Sequence, residues 1–236
     1  MSQIFDALTS RSDDEKKVVL PRFFKTGKGQ YGEGDKFIGV TVPNIRVVAK
    51  EFKDVDFEVI RELMKSPWHE MRMCALLILV NNSKKNVSKE TFDFYLMQTK
   101  YINNWDLVDL SAPQIVGKYL LNKERDVLYR LAESELLWDN RIAIVSTLDF
   151  IRNNDLEDTY NLSIKMMRHK HDLMHKAIGW MLREAGKRDP ERLYFFVKEW
   201  KSQMPRTMLR YAIEKFDVEI RKELMSKPLH TANKRK

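Results

Sequence analysis

Trp105 and Asp109 stand four residues apart in NNWDLVDLSAP (residues 103–113). That spacing puts an electron-rich ring and a carboxylate on one face of a helix, where both can act on one ligand. Asp109 reads as the end of that helix, with Ser111 and Pro113 opening the next, whose free N–H groups and dipole would favour the ionised acid. A core tryptophan beside an end-capping aspartate accounts for the same pair. In HKAIGWMLREAGKRDP, Lys176, Trp180, Arg183 and Lys187 follow at steps of four, three and four, with Ile178, Leu182 and Ala185 on the opposite side. A tryptophan among three cations suits a sugar or base, with the cations on phosphates. A cation–π surface patch is the alternative. Gly179, beside Trp180, costs a helix about 1 kcal/mol relative to Ala, which points to close approach by another backbone or a ligand. In LLWDNRIAIVSTLDFI, Arg141 aligns with Val145 and Leu148 and needs an anion: an internal carboxylate, a DNA phosphate or Asp109 itself.

Other chemistries find less to stand on. His171 and His175 are four apart and His169 is near. There is no HExxH and no cysteine cluster, and Lys170 and Lys176 repel a cation, so no metal is expected. There is no GxSxG, and the one cysteine, Cys74, lies in the apolar run MRMCALLILV, as a small packing residue does. The stretch Thr26 to Asp35, TGKGQYGEGD, carries four of the eight glycines and reads as a mobile loop. Its glycines lack the spacing and terminal Lys-Ser/Thr of a phosphate-cradling loop. Lys25, Lys28 and Tyr31 are candidate DNA contacts there.

The elements that must position these residues are helices. Apolar residues recur at helical spacing, as in Val59, Leu63 and Met64, then Met71, Ala75, Ile78 and Leu79, and no strand is convincing. Pro43, Pro67, Pro113 and Pro190 mark helix starts, whereas Pro21 falls inside VVLPRFFK after a capping box from Ser12 to Glu15, so that the first helix kinks there or starts later. The order predicted is about a dozen helices in pairs with a period of roughly 40 residues, an all-α, HEAT-like helical repeat solenoid. An irregular bundle is the alternative. Residues 1–226 are expected to form a single domain with a concave basic surface, and residues 227–236 a basic, disordered tail.

With 43% hydrophobic and 32% charged residues, the composition is that of a soluble globular protein, and no run approaches the roughly 18 residues of a membrane span. The amino terminus lacks the order of a secretory signal, so a cytoplasmic location is expected, on the nucleoid when bound to DNA. Forty-two Lys and Arg against 34 Asp and Glu give a net charge of +8, which suits a polyanion.

The motifs NNWDLVD, WDNRIAIV and HKAIGWMLRE, in this order, together with PRFFKTGKGQYGEGDKFIGVTVPNIR, resemble the AlkD-like DNA alkylation repair glycosylases over about Phe23 to Arg210. The resemblance implies excision of cationic N3- and N7-alkylated purines from duplex DNA by hydrolysis of the N-glycosidic bond, without metal, cofactor or base flipping. It implies Trp105, Asp109, Trp180 and Arg141 as the catalytic set. Phe23 stands where the family carries Tyr, and Thr41 and Val42 depart from its loop contacts. With no lysine placed as a Schiff-base nucleophile, the expected enzyme is monofunctional and monomeric, its partner double-stranded DNA with alkylated bases. A noncatalytic HEAT-like protein that binds distorted DNA, and a scaffold for an acidic protein, remain as other readings.

Overall fold

The computed structural model describes residues 1–226; the predicted tail, 227–236, lies outside the described residues. The chain divides into two compact units, one ending at Ile142 and one starting at Ala143. The first contains α1 (Ser2–Thr9), α2 (Asp14–Phe23), α3 (Val42–Glu51), α4 (Phe57–Met64), α5 (His69–Asn82), α6 (Lys89–Gln98), α7 (Trp105–Ala112), α8 (Lys118–Leu120) and α9 (Asp126–Ala132). The division falls within α10 (Leu137–Arg152). The second unit continues with α11 (Glu157–Lys165), α12 (Asp172–Gly186), α13 (Pro190–Trp200), α14 (Arg206–Ala212) and α15 (Val218–Met225). Strand pairing among the described residues is one isolated bridge, Lys36 with Trp68, so the fold is all-α. No described helix is long and apolar enough to cross a membrane.

Each unit stacks its helices in HEAT-like fashion. In the first, α5 packs on its neighbour α4 and also on α3 and α7; in the second, α12 packs on α11, α13 and α14. Contact with both the adjacent helix and the next but one is the mark of stacked helical repeats. The reason lies in α5, where every residue from His69 to Val80 is buried. A helix apolar on all sides must be surrounded. The same burial pushes the Cys74 thiol up to about 12, so it packs and does not react at neutral pH.

The local signals were mostly where the sequence placed them. Pro43 lies in the first turn of α3 and Pro190 in that of α13, which Asp189 caps by accepting from Arg192 N. Pro67 precedes α5 by two residues, and α5 is entered through Trp68. Two expectations need correction. The cap of α2 is Asp13, accepting from Lys16 N, while Ser12 Oγ donates to Ile38 O; the helix runs through Pro21 and stops at Phe23. Pro113 does not open a helix: α7 continues through a π-helical turn, Pro113–Gly117, into α8. A wider turn accommodates a proline ring that an α-helical turn would clash with. Asp109 is therefore inside a continuous helix, and no fresh helix start supports its charge.

Close approach at Gly179 is borne out. A Cβ there would lie 2.6 Å from Met208 O and 2.6 Å from Tyr211 Cβ, both from α14. Gly179→Ala gains about 1 kcal/mol of helix propensity, but α12 and α14 must move apart, so the expected net loss is about 1–3 kcal/mol. A lower urea midpoint of the variant is the measurement; a raised midpoint would show that the two helices yield freely.

Candidate active site

Asp109 is the centre of the first unit's site. Its carboxylate is gripped by Arg141 from α10 in a two-point contact, Nε to Oδ1 at 2.9 Å and Nη2 to Oδ2 at 2.8 Å. The Arg141 side chain is 6% exposed and that of Asp109 16%. The partner left open by the sequence is thus Asp109 itself. Burial raises the Asp109 pKa by more than the Arg141 hydrogen bond and charge lower it, and the carboxylate of Asp106 adds to the rise. The fork orients the acid, and the small exposed fraction of its side chain is what remains for a ligand.

One turn earlier in α7, Trp105 is half-buried and flanked by aromatic rings. Phe24 lies 5.5 Å from it and Phe23 6.0 Å, edge on; Phe24 also stacks on Phe37 at 5.2 Å. Phe23 is 57% exposed and presents an apolar ring next to Trp105. Asp109, Asp106 and Trp105 border a cavity of about 640 Å³ whose other walls include Phe23, Leu20, Val40 and Met73. Thr41 and Val42 also line it.

Beneath lies a polar network that sequence reasoning missed. His69, 2% exposed, bridges two carboxylates, Nδ1 to Asp35 at 3.2 Å and Nε2 to Asp106 at 2.9 Å. Arg72 donates to Asp35 at 2.7 Å and to Asn103 at 3.0 Å. Burial works against a charged His69, yet the charge and hydrogen bond of Asp106 and the bond to Asp35 prevail and raise its pKa to about 9. Burial likewise opposes ionisation of Asp35, but the bonds from His69 and Asn103 and the charge of Arg72 hold it below the usual carboxylate range. The imidazole stacks on Phe37 at 4.7 Å and lies 5.0 Å from Phe24, so it props both the acid next to Trp105 and the ring behind it. Glu70 accepts the backbone N–H groups of Ile38, Gly39 and Val40 at 2.9, 2.8 and 3.1 Å. Gly39, at φ 92°, sits so close to Asp13 O that a Cβ would come within 2.6 Å. The available signal was in HEMRMC: three charged or titratable residues in a helix start that is otherwise apolar must be satisfied internally.

The loop from Thr26 to Asp35 ends in this network through Asp35. Within it Gln30 accepts from Gly27 N and Glu33 from Gly29 N. Lys25 and Lys28 are exposed, and Tyr31 is half-buried with its ring 6.1 Å from Trp138.

The remaining predicted residues belong to the second unit. Trp180 is half-buried on α12 and borders a cavity of about 480 Å³ with Arg152, Glu184, Lys187 and Arg188. The cations of its stripe carry carboxylate partners: Lys176 with Asp172 at 2.7 Å, Lys187 with Glu184 at 2.7 Å, and Arg183 with Glu214. The histidines hold backbone: His171 caps α12 by accepting from Leu173 N, and His169 Nδ1 accepts from His171 N.

Residues 4–216 match the family model described as DNA alkylation repair enzyme. The fold is similar to a solved structure titled a predicted DNA alkylation repair enzyme from Enterococcus faecalis, with a TM-score of 0.70 and 17% identity over 88% of this chain and 98% of that one. At that identity the likeness shows the fold alone. Among curated proteins no match is found.

Proposed function

The chain belongs to the DNA alkylation repair enzyme family, and from that premise we propose that it is a DNA glycosylase that hydrolyses the N-glycosidic bond of cationic N3- and N7-alkylated purines in duplex DNA. The observation that carries the reading is the Asp109 carboxylate, fixed by Arg141 and one helical turn from Trp105. An alkylpurine that is already cationic leaves as a neutral base, so the C1′–N bond breaks without a general acid. The sugar is left oxocarbenium-like, and a fixed anion lowers the energy of that charge. Water then adds to C1′ and gives up its proton, with Asp109 to orient it or accept that proton. The face of Trp105 favours the same positive charge. Trp180, from its own unit, is proposed to lie against the DNA sugar, and Arg183, Lys176 and Lys187 to serve phosphates by exchanging their carboxylate partners. The chemistry calls for no cofactor, and the protein is proposed to act as a monomer.

The test is release of 7-methylguanine and 3-methyladenine from methylated duplex at neutral pH. The expected outcome is release in proportion to protein, well above the spontaneous rate. Duplex binding with only spontaneous release would make the protein a noncatalytic DNA binder.

A further inference from the structure

A set of cations outside the proposed site lacks any carboxylate. Arg46 and Lys50 on α3, Lys53 just beyond it and Lys84 just beyond α5 line one cavity of about 350 Å³ together with Asn81 and Asn82. All four cations are exposed, and among the described residues none has an ion-pair partner. No acid lines this cavity; of the acids close by in sequence, Glu51 is bound by Arg11 at 2.9 Å, and Asp56 caps α4 by accepting from Val59 N. Nor is the charge spent on the end of α5, because Lys118 Nζ already donates to Ser83 O at 3.1 Å and to Lys84 O. The contrast with α12 is physical. There each predicted phosphate-binding cation would have to surrender a carboxylate, whereas these four have only counterions to release. Four like charges held together repel, an arrangement that an anion relieves.

We infer that Arg46, Lys50, Lys53 and Lys84 form a second binding site in the first unit, which takes phosphodiester groups of duplex DNA beside the damaged nucleotide. The inference rests on the DNA-repair reading above. The helix α5 links the two places: Met73 lines the cavity at Trp105 and Asn82 the cationic one. Nine residues of helix span roughly 13 Å, about four base pairs of DNA. Asn82 Nδ2 donates to Lys53 O at 2.9 Å, which ties the end of α5 to the segment that carries Lys53.

The experiment compares the protein with R46Q/K50Q/K53Q/K84Q on a 20-base-pair duplex carrying one central 7-methylguanine. Affinity is followed against salt, and base release is read at saturating protein. Loss of four phosphate contacts is expected to lower the slope of log K against log salt by about 3.6 and to weaken binding on the order of 1,000-fold at 0.1 M salt, with release at saturation unchanged. A control of equal net charge, R61Q/K65Q/K89Q/R192Q, removes exposed or half-buried cations that are already paired with acids. It is expected to change the slope by less than about 1. Equal slopes for the quadruple variant and the protein, or equal losses in the variant and the control, would overturn the site. Failure of the unaltered protein to bind duplex even at low salt would overturn the DNA reading itself, which separates the two.

Discussion

Asp109→Asn is expected to slow release of 7-methylguanine at least about 100-fold while duplex binding is retained or slightly tightened. Asparagine keeps the shape and still offers Arg141 one oxygen, but it places an amide where the second oxygen accepted from Nη2. The transition state loses a fixed anion, an effect worth about 10²–10³ in rate at comparable electrostatic sites. Binding moves the other way because a negative charge next to DNA has been removed. That opposition excludes misfolding as the cause, since an unfolded protein loses both. The direction of the Asp109 pKa adds a pH signature. With burial holding the acid above the ordinary carboxylate value, the acidic fall in rate is expected at higher pH than an ordinary carboxylate gives, and the residual rate of the variant is not expected to share it. Release by Asp109→Asn equal to that of the protein would remove Asp109 from the mechanism.

The second large effect is on stability. His69→Phe keeps the stack on Phe24 and Phe37 but leaves Asp35 and Asp106 without the ring nitrogens that bridge them. Removing one member of a buried ionic cluster costs about 3–5 kcal/mol, because its partners stay behind uncompensated. The pH dependence follows from a histidine pKa raised from 6.5 to about 9 on folding. The folded state holds the proton more tightly, so the contribution of His69 is fully present below pH 6.5 and is lost as pH rises through about 9. From the size of the shift that loss is at most about 3 kcal/mol. Asp35 has the opposite sense: its lowered pKa stabilises above the ordinary carboxylate value and is lost in acid. Urea unfolding at pH 6 and pH 10, with the difference between protein and variant taken at each, isolates the histidine from the other groups. A variant as stable as the protein at pH 6 would show that His69 bridges nothing of consequence.

What the sequence made legible follows from the range of the interactions concerned. Helical spacing of apolar residues is a local signal, and it was enough for an all-α, repeat-like fold. The four-residue step from Trp105 to Asp109 is equally local and held within α7. Pro113 misled because proline at a helix start and proline in a π-helical turn carry the same residue signal, and only the backbone register separates them. The bond between Arg141 and Asp109 crosses 32 residues. Charge and apolar alignment showed that Arg141 needed an anion, but not which one. The His69 network is harder still, since its partners lie 34 and 37 residues away and nothing in a single sequence couples them. The cations of α12 were legible as a stripe. Their carboxylates were not all so: Asp172 and Glu184 are within four residues, while Glu214 lies on a separate stretch.

The carboxylate of Glu70 reaches back 30 to 32 residues to hold Ile38, Gly39 and Val40. Just before them, His69, Arg72 and Asn103 hold Asp35, and Phe24 is packed against Phe37 on the other side of the glycine-rich loop. The loop is thus tethered at both ends by groups that do not belong to it. Doubling the length of such a tethered segment costs only about 0.6 kcal/mol in closure entropy. Insertions at the exposed Lys28 and Gly29 are therefore cheap for the fold, and this tip is where the protein can change length, and with it reach, without disturbing the start of α3 or the ring behind Trp105.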